Sequence, residues 1–158
     1  MTKIILCAME EEANNIKCPD AKVIVTGIGA SNVIKAIAQA DIRPTDNVIN
    51  VGYAGSSCFN VGGVLSVGMV QLINDNYDNK TFYLNNLTPA VAQCYTANTF
   101  IENGNYQLVD MELFYLMCFG FQDLKSLKIV SDNLNYNEFK RSKFERSWDA
   151  VNKILEDL

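Results

Sequence analysis

Four short motifs in this chain of 158 residues combine acidic or hydroxyl side chains with glycines. They are Ala8-Met9-Glu10-Glu11-Glu12, Gly27-Ile28-Gly29, residues 52–57 and Ser131-Asp132. Carboxyl groups supply negative charge and proton chemistry, and glycines let a ligand approach the backbone. A site built from these motifs would be rich in acids and poor in cations. It suits a polyhydroxylated, neutral or cationic ligand better than a phosphate.

The sequence contains no histidine, which excludes catalytic triads that use histidine and zinc sites that it ligates. Proton transfer near neutral pH must then use a carboxyl, thiol, phenol or amine of suitable pKa. The five cysteines lie far apart without a CxxC pair, a pattern that favours reduced structural thiols. We therefore expect neither a metal nor a cofactor.

Composition favours a small-molecule partner. The net charge is −5, and the 13 basic residues are scattered, which argues against nucleic acid or an anionic membrane. There is no apolar run long enough for a transmembrane span, and the N-terminus turns acidic too soon for a signal peptide. We expect one cytoplasmic domain covering residues 1–158.

Short apolar runs bounded by charge or glycine predict the strands. They cover residues 3–8, 22–26, 46–51, 65–73, 80–84, 91–96, 106–109 and 127–130. Asn103-Gly104, a strong turn dipeptide, is expected to join the strands at 91–96 and 106–109. Helical spacing predicts a helix capped by Ser31, another from Asp110, and a long C-terminal helix. Its apolar side would carry Phe139, Phe144, Trp148, Val151, Leu155 and Leu158. This alternation indicates an α/β fold whose ligand site lies at the carboxyl ends of the strands.

The four motifs belong to a longer ordered series. Besides Ala8 to Glu12 it includes Thr26-Gly27-Ile28-Gly29, Asn50-Val51-Gly52-Tyr53-Ala54-Gly55, Val67-Gly68, Thr99-Phe100-Ile101, Val109-Asp110-Met111-Glu112 and Val130-Ser131-Asp132. In this order the motifs resemble the purine nucleoside phosphorylase and methylthioadenosine/S-adenosylhomocysteine nucleosidase superfamily, in its nucleosidase branch and shortened. The resemblance implies a three-layer α/β sandwich, reduced in size, with a central mixed and largely parallel sheet.

The resemblance also implies three catalytic carboxyls for cleavage of an N-ribosidic bond, which passes through an oxocarbenium-like transition state. Asp132 would protonate N7 of a purine, Glu112 would accept hydrogen bonds from the ribose hydroxyls, and Glu12 would hold the attacking water. From the residues alone, other interpretations stay open. Ser131-Asp132 is also typical of a cap or turn, Glu112 of a helix start, and three consecutive glutamates of a solvated turn.

Eight further residues would bind substrate if the resemblance holds. Phe100 would stack on the base, Ile101 would offer its backbone to the base edge, and Met111 would pack against the sugar. Ser131 would orient Asp132. The pocket would also be lined, mainly through backbone, by Ala8, Met9, Thr26 and Gly27.

Hydrolysis is favoured over phosphorolysis, because none of the arginines (Arg43, Arg141 and Arg146) lies in a motif and three glutamates would repel phosphate. The expected substrate is a purine nucleoside, 5′-methylthioadenosine or S-adenosylhomocysteine. The alternatives are a phosphate-dependent phosphorylase and a catalytically silent nucleoside-binding relative. The resemblance further implies a homodimer, for which the apolar residues 61–69 are a candidate face.

Overall fold

The computed structural model describes residues 2–73, 80–141 and 143–158. The strands are β1 (Lys3–Cys7), β2 (Ala21–Val25), β3 (Asn47–Gly55), β4 (Val64–Leu72), β5 (Phe82–Tyr83), β6 (Val91–Thr96), β7 (Leu108–Asp110) and β8 (Leu124–Asp132). The helices are α1 (Glu10–Asn15), α2 (Ala30–Gln39), α3 (Leu113–Met117), α4 (Tyr136–Arg141) and α5 (Glu145–Glu156). In the described residues helices follow β1, β2, β7 and β8, whereas β3 to β7 succeed one another without a helix between them.

The strands form one mixed sheet that partly closes on itself. β2, β1, β3 and β8 run parallel in that order, and β8 is antiparallel to β4. β4 is parallel to β6 and β6 to β7, while β7 returns to β3 through the pair Gly55–Val109. Strands β3, β8, β4, β6 and β7 therefore make a closed ring, which β1 and β2 extend on one side. The expected mixed, largely parallel sheet is confirmed.

Helices cover both faces of this sheet. Successive residues of a strand point to opposite sides, so each strand contributes side chains to two cores. Leu6 of β1 packs in a core with Val33 of α2 and Leu116 of α3. Its neighbour Ile5 packs in a second core with Trp148 and other residues of α5. The predicted three-layer arrangement is therefore confirmed. Of the helices that the structure describes, none has the length and apolar character needed to cross a membrane.

Two local features differ from the sequence pattern. Asn103-Gly104 lies in the connection between β6 and β7, as predicted, but the strands are parallel, so this connection crosses over instead of making the tight hairpin turn that Asn-Gly favours. Ser31 does not cap α2. Gly29 holds the N-cap position with φ +84°, and its carbonyl accepts the Val33 N–H at 3.1 Å, so the helix begins at Ala30.

The expected single C-terminal helix is two helices. α4 ends at Arg141 and α5 begins at Glu145, after the non-helical Phe144. The break lets the Phe144 ring enter the core beside Tyr53, with centroids 5.1 Å apart. Leu158 lies past α5 and is 45% exposed, so it does not extend the apolar side.

The candidate dimer face at residues 61–69 stays a prediction, and the middle of it lies inside the protein. β4 pairs with both β6 and β8, and Leu65 and Val67 are buried in the core. The core inside the ring therefore accounts for the apolar character of Leu65 and Val67.

The buried side of α5 should contribute strongly to stability. Leu155 is fully buried, so we expect Leu155→Ala to lower the free energy of unfolding by about 2–5 kcal/mol through lost contacts and a cavity. The exposed Asp149 of the same helix is the control, and Asp149→Ala should change it by less than about 0.5 kcal/mol. Urea unfolding measures both, and equal effects would contradict this packing.

Candidate active site

Glu12 is buried, and three backbone N–H groups donate hydrogen bonds to its carboxyl. The side chain is 2% exposed, while Glu10 and Glu11 are exposed. Its Oε2 accepts the N–H groups of Ala8 at 2.8 Å and Met9 at 2.9 Å, which precede the helix. Its Oε1 accepts the N–H of Tyr53 at 3.0 Å. Burial nevertheless raises the pKa of Glu12 above its usual range, against these donors and the nearby Lys128.

Asp110 ends β7 and is hydrogen-bonded on both oxygens. Its Oδ1 accepts the Thr96 hydroxyl at 2.6 Å, and its Oδ2 accepts the Leu113 N–H at 2.9 Å. The second bond satisfies a donor in the first turn of α3, which otherwise has no partner within the helix. Lys128 Nζ lies 2.9 Å from the same Oδ2 and forms a buried ion pair.

Glu112 lies two residues beyond Asp110 and reaches across to the glycine turn after β2. Its Oε2 accepts the Gly29 N–H at 3.0 Å. Burial, and then the negative charge of Asp110, raise the pKa of Glu112 to about 7, while Lys128 and the Gly29 donor oppose the shift. This carboxyl is therefore divided between its protonated and ionised forms near neutral pH.

Lys128 is a site residue that the sequence reasoning missed. It lies on β8 and is only 1% exposed, next to Asp110 and electrostatically coupled to Glu112 and Glu12. A signal was present, because a lysine inside an apolar strand is rarely buried unless it is paired. Asp110 was likewise interpreted only as a helix start.

Asp132 stands at the carboxyl end of β8 and is 1% exposed. Its Oδ2 accepts the Ser131 hydroxyl at 2.7 Å and its Oδ1 accepts the Leu134 N–H at 2.9 Å. Burial raises the pKa of Asp132 above its usual range, although these donors favour the charged form. A buried carboxyl with a raised pKa, fixed in orientation, is suited to proton transfer.

The two glycines of β3 make room for the carboxyls. A Cβ at Gly52 would lie 3.0 Å from Glu12 Oε1, and one at Gly55 would lie 2.9 Å from Asp132 Oδ1. Side chains at either position would press on a carboxyl that is held by several hydrogen bonds. The carboxyls of Glu12 and Asp132 therefore lie against β3 at two positions, Gly52 and Gly55, that are three residues apart.

One cavity brings four of the predicted site residues together. Phe100, Ile101, Met111 and Asp132 line a volume of about 30 Å³, together with Gly55 and neighbouring side chains. That is room for about one or two water molecules, so a purine would enter only if side chains at the rim move. Phe100 lies at the rim, 36% exposed, with its ring edge-on to Tyr136 at 5.3 Å.

The remaining predicted residues lie outside that cavity. Ala8 and Met9 hold Glu12 through their N–H groups, whereas Thr26 donates to the Gly27 carbonyl at 2.9 Å. Gly27 has φ +85°, which favours glycine. A larger cavity of about 470 Å³ beside the start of α5 contains none of the predicted site residues.

Comparison with known proteins locates the fold among nucleosidases. No protein-family model and no curated protein sequence matches the chain. An MTAN from Chlamydia trachomatis has a solved structure with a TM-score of 0.78 and 17% identity, over 100% of this chain and 99% of that chain. The 5′-methylthioadenosine/S-adenosyl homocysteine nucleosidase (MTAN) of Helicobacter pylori gives 0.75 and 16%, over 99% and 97%.

Futalosine hydrolase of Helicobacter pylori is similar to the same degree, with a TM-score of 0.74 and 16% identity, over 98% of this chain and 96% of that chain. The matches run along nearly the full length of every chain. The fold implied by the resemblance of the ordered motifs is thereby confirmed.

Replacing Lys128 tests how much its buried ion pair with Asp110 contributes to the stability of the protein. Lys128→Met would leave Asp110 buried without its cation, so we expect a loss of about 3–5 kcal/mol in the free energy of unfolding at pH 7. Lys125 of the same strand forms a more exposed pair with Asp123, and Lys125→Met should cost at most about 1 kcal/mol. Urea unfolding distinguishes the two, and a small loss for Lys128→Met would contradict the buried pair.

The raised pKa of Glu112 predicts a pH dependence of stability. Between about pH 4.5 and 7 the folded protein holds a proton on Glu112 that the unfolded chain has released, so stability falls as pH rises through this window. Glu112→Gln should reduce that fall by roughly 1–3 kcal/mol. The exposed Glu102 provides the control, because Glu102→Gln should leave the slope unchanged. Identical slopes in wild type and Glu112→Gln would show that Glu112 titrates normally.

Proposed function

We propose that the protein is an N-ribosyl hydrolase that cleaves the N-glycosidic bond of a purine nucleoside. The observation that carries this proposal is the shared cavity, in which Asp132 lies beside Phe100, Ile101 and Met111. An aromatic ring, an apolar wall and a buried acid together suit a flat heterocycle that must gain a proton.

Asp132 is the general acid in this proposal. Burial raises its pKa, and exclusion of water by the substrate would raise it further, so that the carboxyl holds a proton to give. As the bond from C1′ to N9 breaks, its electron pair goes to the base and the Asp132 proton goes to N7. Ser131 fixes the orientation of the carboxyl through its 2.7 Å hydrogen bond.

Glu112 and Glu12 act on the ribose and the water. Glu112 accepts hydrogen bonds from the ribose hydroxyls, and its negative charge stabilises the cationic sugar of the transition state. Glu12 accepts a proton from the water whose oxygen forms the new bond to C1′. Its three backbone donors hold the carboxyl in place for this role.

The charges favour water over phosphate as the nucleophile. Among the residues that the structure describes, Lys128 is the cation next to these carboxyls, and Asp110 already pairs with it at 2.9 Å. Arg43 is paired with Asp46 at 2.8 Å, just before β3 begins and hence away from the carboxyl end. A phosphate dianion near Glu12 and Glu112 would be repelled. A phosphorylase would therefore need a cation that these groups do not provide.

The proposed substrate is 5′-methylthioadenosine or S-adenosylhomocysteine. The Chlamydia trachomatis MTAN has been solved bound to adenine, and a single-residue variant of it bound to MTA; the similarity to this chain covers 99% or more of each. Futalosine hydrolase shares that fold as well. A single domain over residues 1–158 that acts as a cytoplasmic homodimer belongs to the same proposal.

Replacing the general acid tests the reaction. Asp132→Asn should lower kcat for adenine release from methylthioadenosine by about 10²- to 10⁴-fold, because the proton for the leaving base is lost. Binding of adenine, measured by calorimetry, should fall far less. The exposed Asp149 supplies the matched control, and Asp149→Asn should retain full activity. An active Asp132→Asn enzyme would remove Asp132 from the chemistry.

A further inference from the structure

Tyr53 is bound to both of the last two glutamates of the triple-glutamate motif, one through its backbone and one through its side chain. Its N–H donates to Glu12 Oε1 at 3.0 Å, and its hydroxyl donates to Glu11 Oε1 at 2.9 Å. Glu11 and Glu12 lie in the first turn of α1, whereas Tyr53 lies on β3. One residue of the sheet therefore holds the start of this short helix at two points.

The Tyr53 hydroxyl is itself oriented by α5. Trp148 Nε1 donates to it at 2.9 Å, which directs the phenolic proton away from the indole and towards Glu11. The ring is also fixed by Phe139, Phe144 and Trp148, with centroids 5.1–6.0 Å away. Burial raises the pKa of the Tyr53 hydroxyl well above its usual range, so it stays a donor.

α5 contacts the other end of α1 as well. Asn152 Nδ2 donates to the Asn15 carbonyl at 2.9 Å, and Asn152 Oδ1 accepts the Lys17 N–H at 2.7 Å. A helix of six residues is too short to be stable alone, so its position depends on such contacts. At its C-terminal end α1 is bound directly to α5, and at its N-terminal end the connection passes through Tyr53.

We propose that Tyr53 is a positioning residue for Glu12, and that its hydroxyl transmits the position of α5 to the first turn of α1. This inference rests on the proposed role of Glu12 in holding the attacking water. Small displacements of a group that aligns a nucleophile reduce the rate of the chemical step more than they weaken substrate binding. Tyr53 itself touches neither the water nor the sugar in this proposal.

Tyr53→Phe removes the hydroxyl and keeps the ring and the backbone donor. We expect kcat for adenine release from methylthioadenosine to fall about 3- to 10-fold, with KM changed less than about twofold. Tyr95→Phe is the matched control, because the Tyr95 hydroxyl donates to Gln93 at 3.2 Å on the more exposed side of β6, away from the site. It should retain wild-type kcat. An unchanged kcat in Tyr53→Phe would overturn the proposal, as would a rise in KM that accounts for the whole loss.

Changes at the exposed Glu11 test the same hydrogen bond from the other partner, without disturbing the aromatic core. Glu11→Ala should reproduce the loss seen in Tyr53→Phe, and Glu11→Gln, which still offers an acceptor, should restore most of it. The Tyr53→Phe/Glu11→Ala double variant should be no slower than either single variant, because the same bond is removed. Multiplying losses, or a Glu11→Gln enzyme as slow as Glu11→Ala, would contradict the proposal.

Amide hydrogen exchange separates this inference from the proposed function. The N–H groups of Ala8 and Met9 donate to Glu12, so their exchange should accelerate in Tyr53→Phe and stay unchanged in Tyr95→Phe. If wild-type protein cleaves no nucleoside, the proposed function fails, whereas faster exchange would still support the positioning of Glu12 by Tyr53. Unchanged exchange in Tyr53→Phe would refute that positioning whatever the activity.

Discussion

A buried ammonium among carboxyls is the interaction on which the site depends. Lys128 is held at 2.9 Å by Asp110, and its charge opposes the raised pKa values of Glu12 and Glu112. Removing charged groups from water costs several kcal/mol per ion, and only close pairing and further hydrogen bonds offset that cost. The ring of β3, β8, β4, β6 and β7 brings these partners together from distant parts of the chain. Lys128 pairs with Asp110, while burial and the negative charge of Asp110 still raise the pKa of Glu112 to about 7.

β3 links this network to the chemistry at the carboxyl ends of the strands. It holds Glu12 through the Tyr53 N–H, and it pairs with β8 so that Gly55 lies beside Asp132. The absence of a side chain at Gly52 and Gly55 lets each carboxyl lie against the strand. One rigid strand therefore fixes the separation between the proposed acid and the group proposed to hold the water. Such positioning is what the proposed hydrolysis requires of its acid and of the group that holds the water.

The sequence predicted the features that depend on local pattern. Apolar runs located the strands of the described residues, and the acids and glycines at the carboxyl ends of β1, β2, β3 and β8 indicated where the site lies. Features set by distant partners were not predicted. The interruption between α4 and α5 depends on the packing of Phe144 against Tyr53. The role of Lys128 depends on its pairing with Asp110, which lies on another strand. The glycines were interpreted as making room for a ligand, whereas Gly52 and Gly55 make room for carboxyls.

Adenine release from methylthioadenosine, measured with purified protein in phosphate-free buffer and again with added phosphate, tests the central claim most directly. Hydrolysis by the three proposed carboxyls predicts the same rate of release in both buffers, with free methylthioribose as the second product. Release that requires phosphate would contradict hydrolysis and remove Glu12 from its proposed role. No release in either buffer, with a panel of purine nucleosides, would contradict the assignment of a nucleosidase and favour a protein that only binds its ligand.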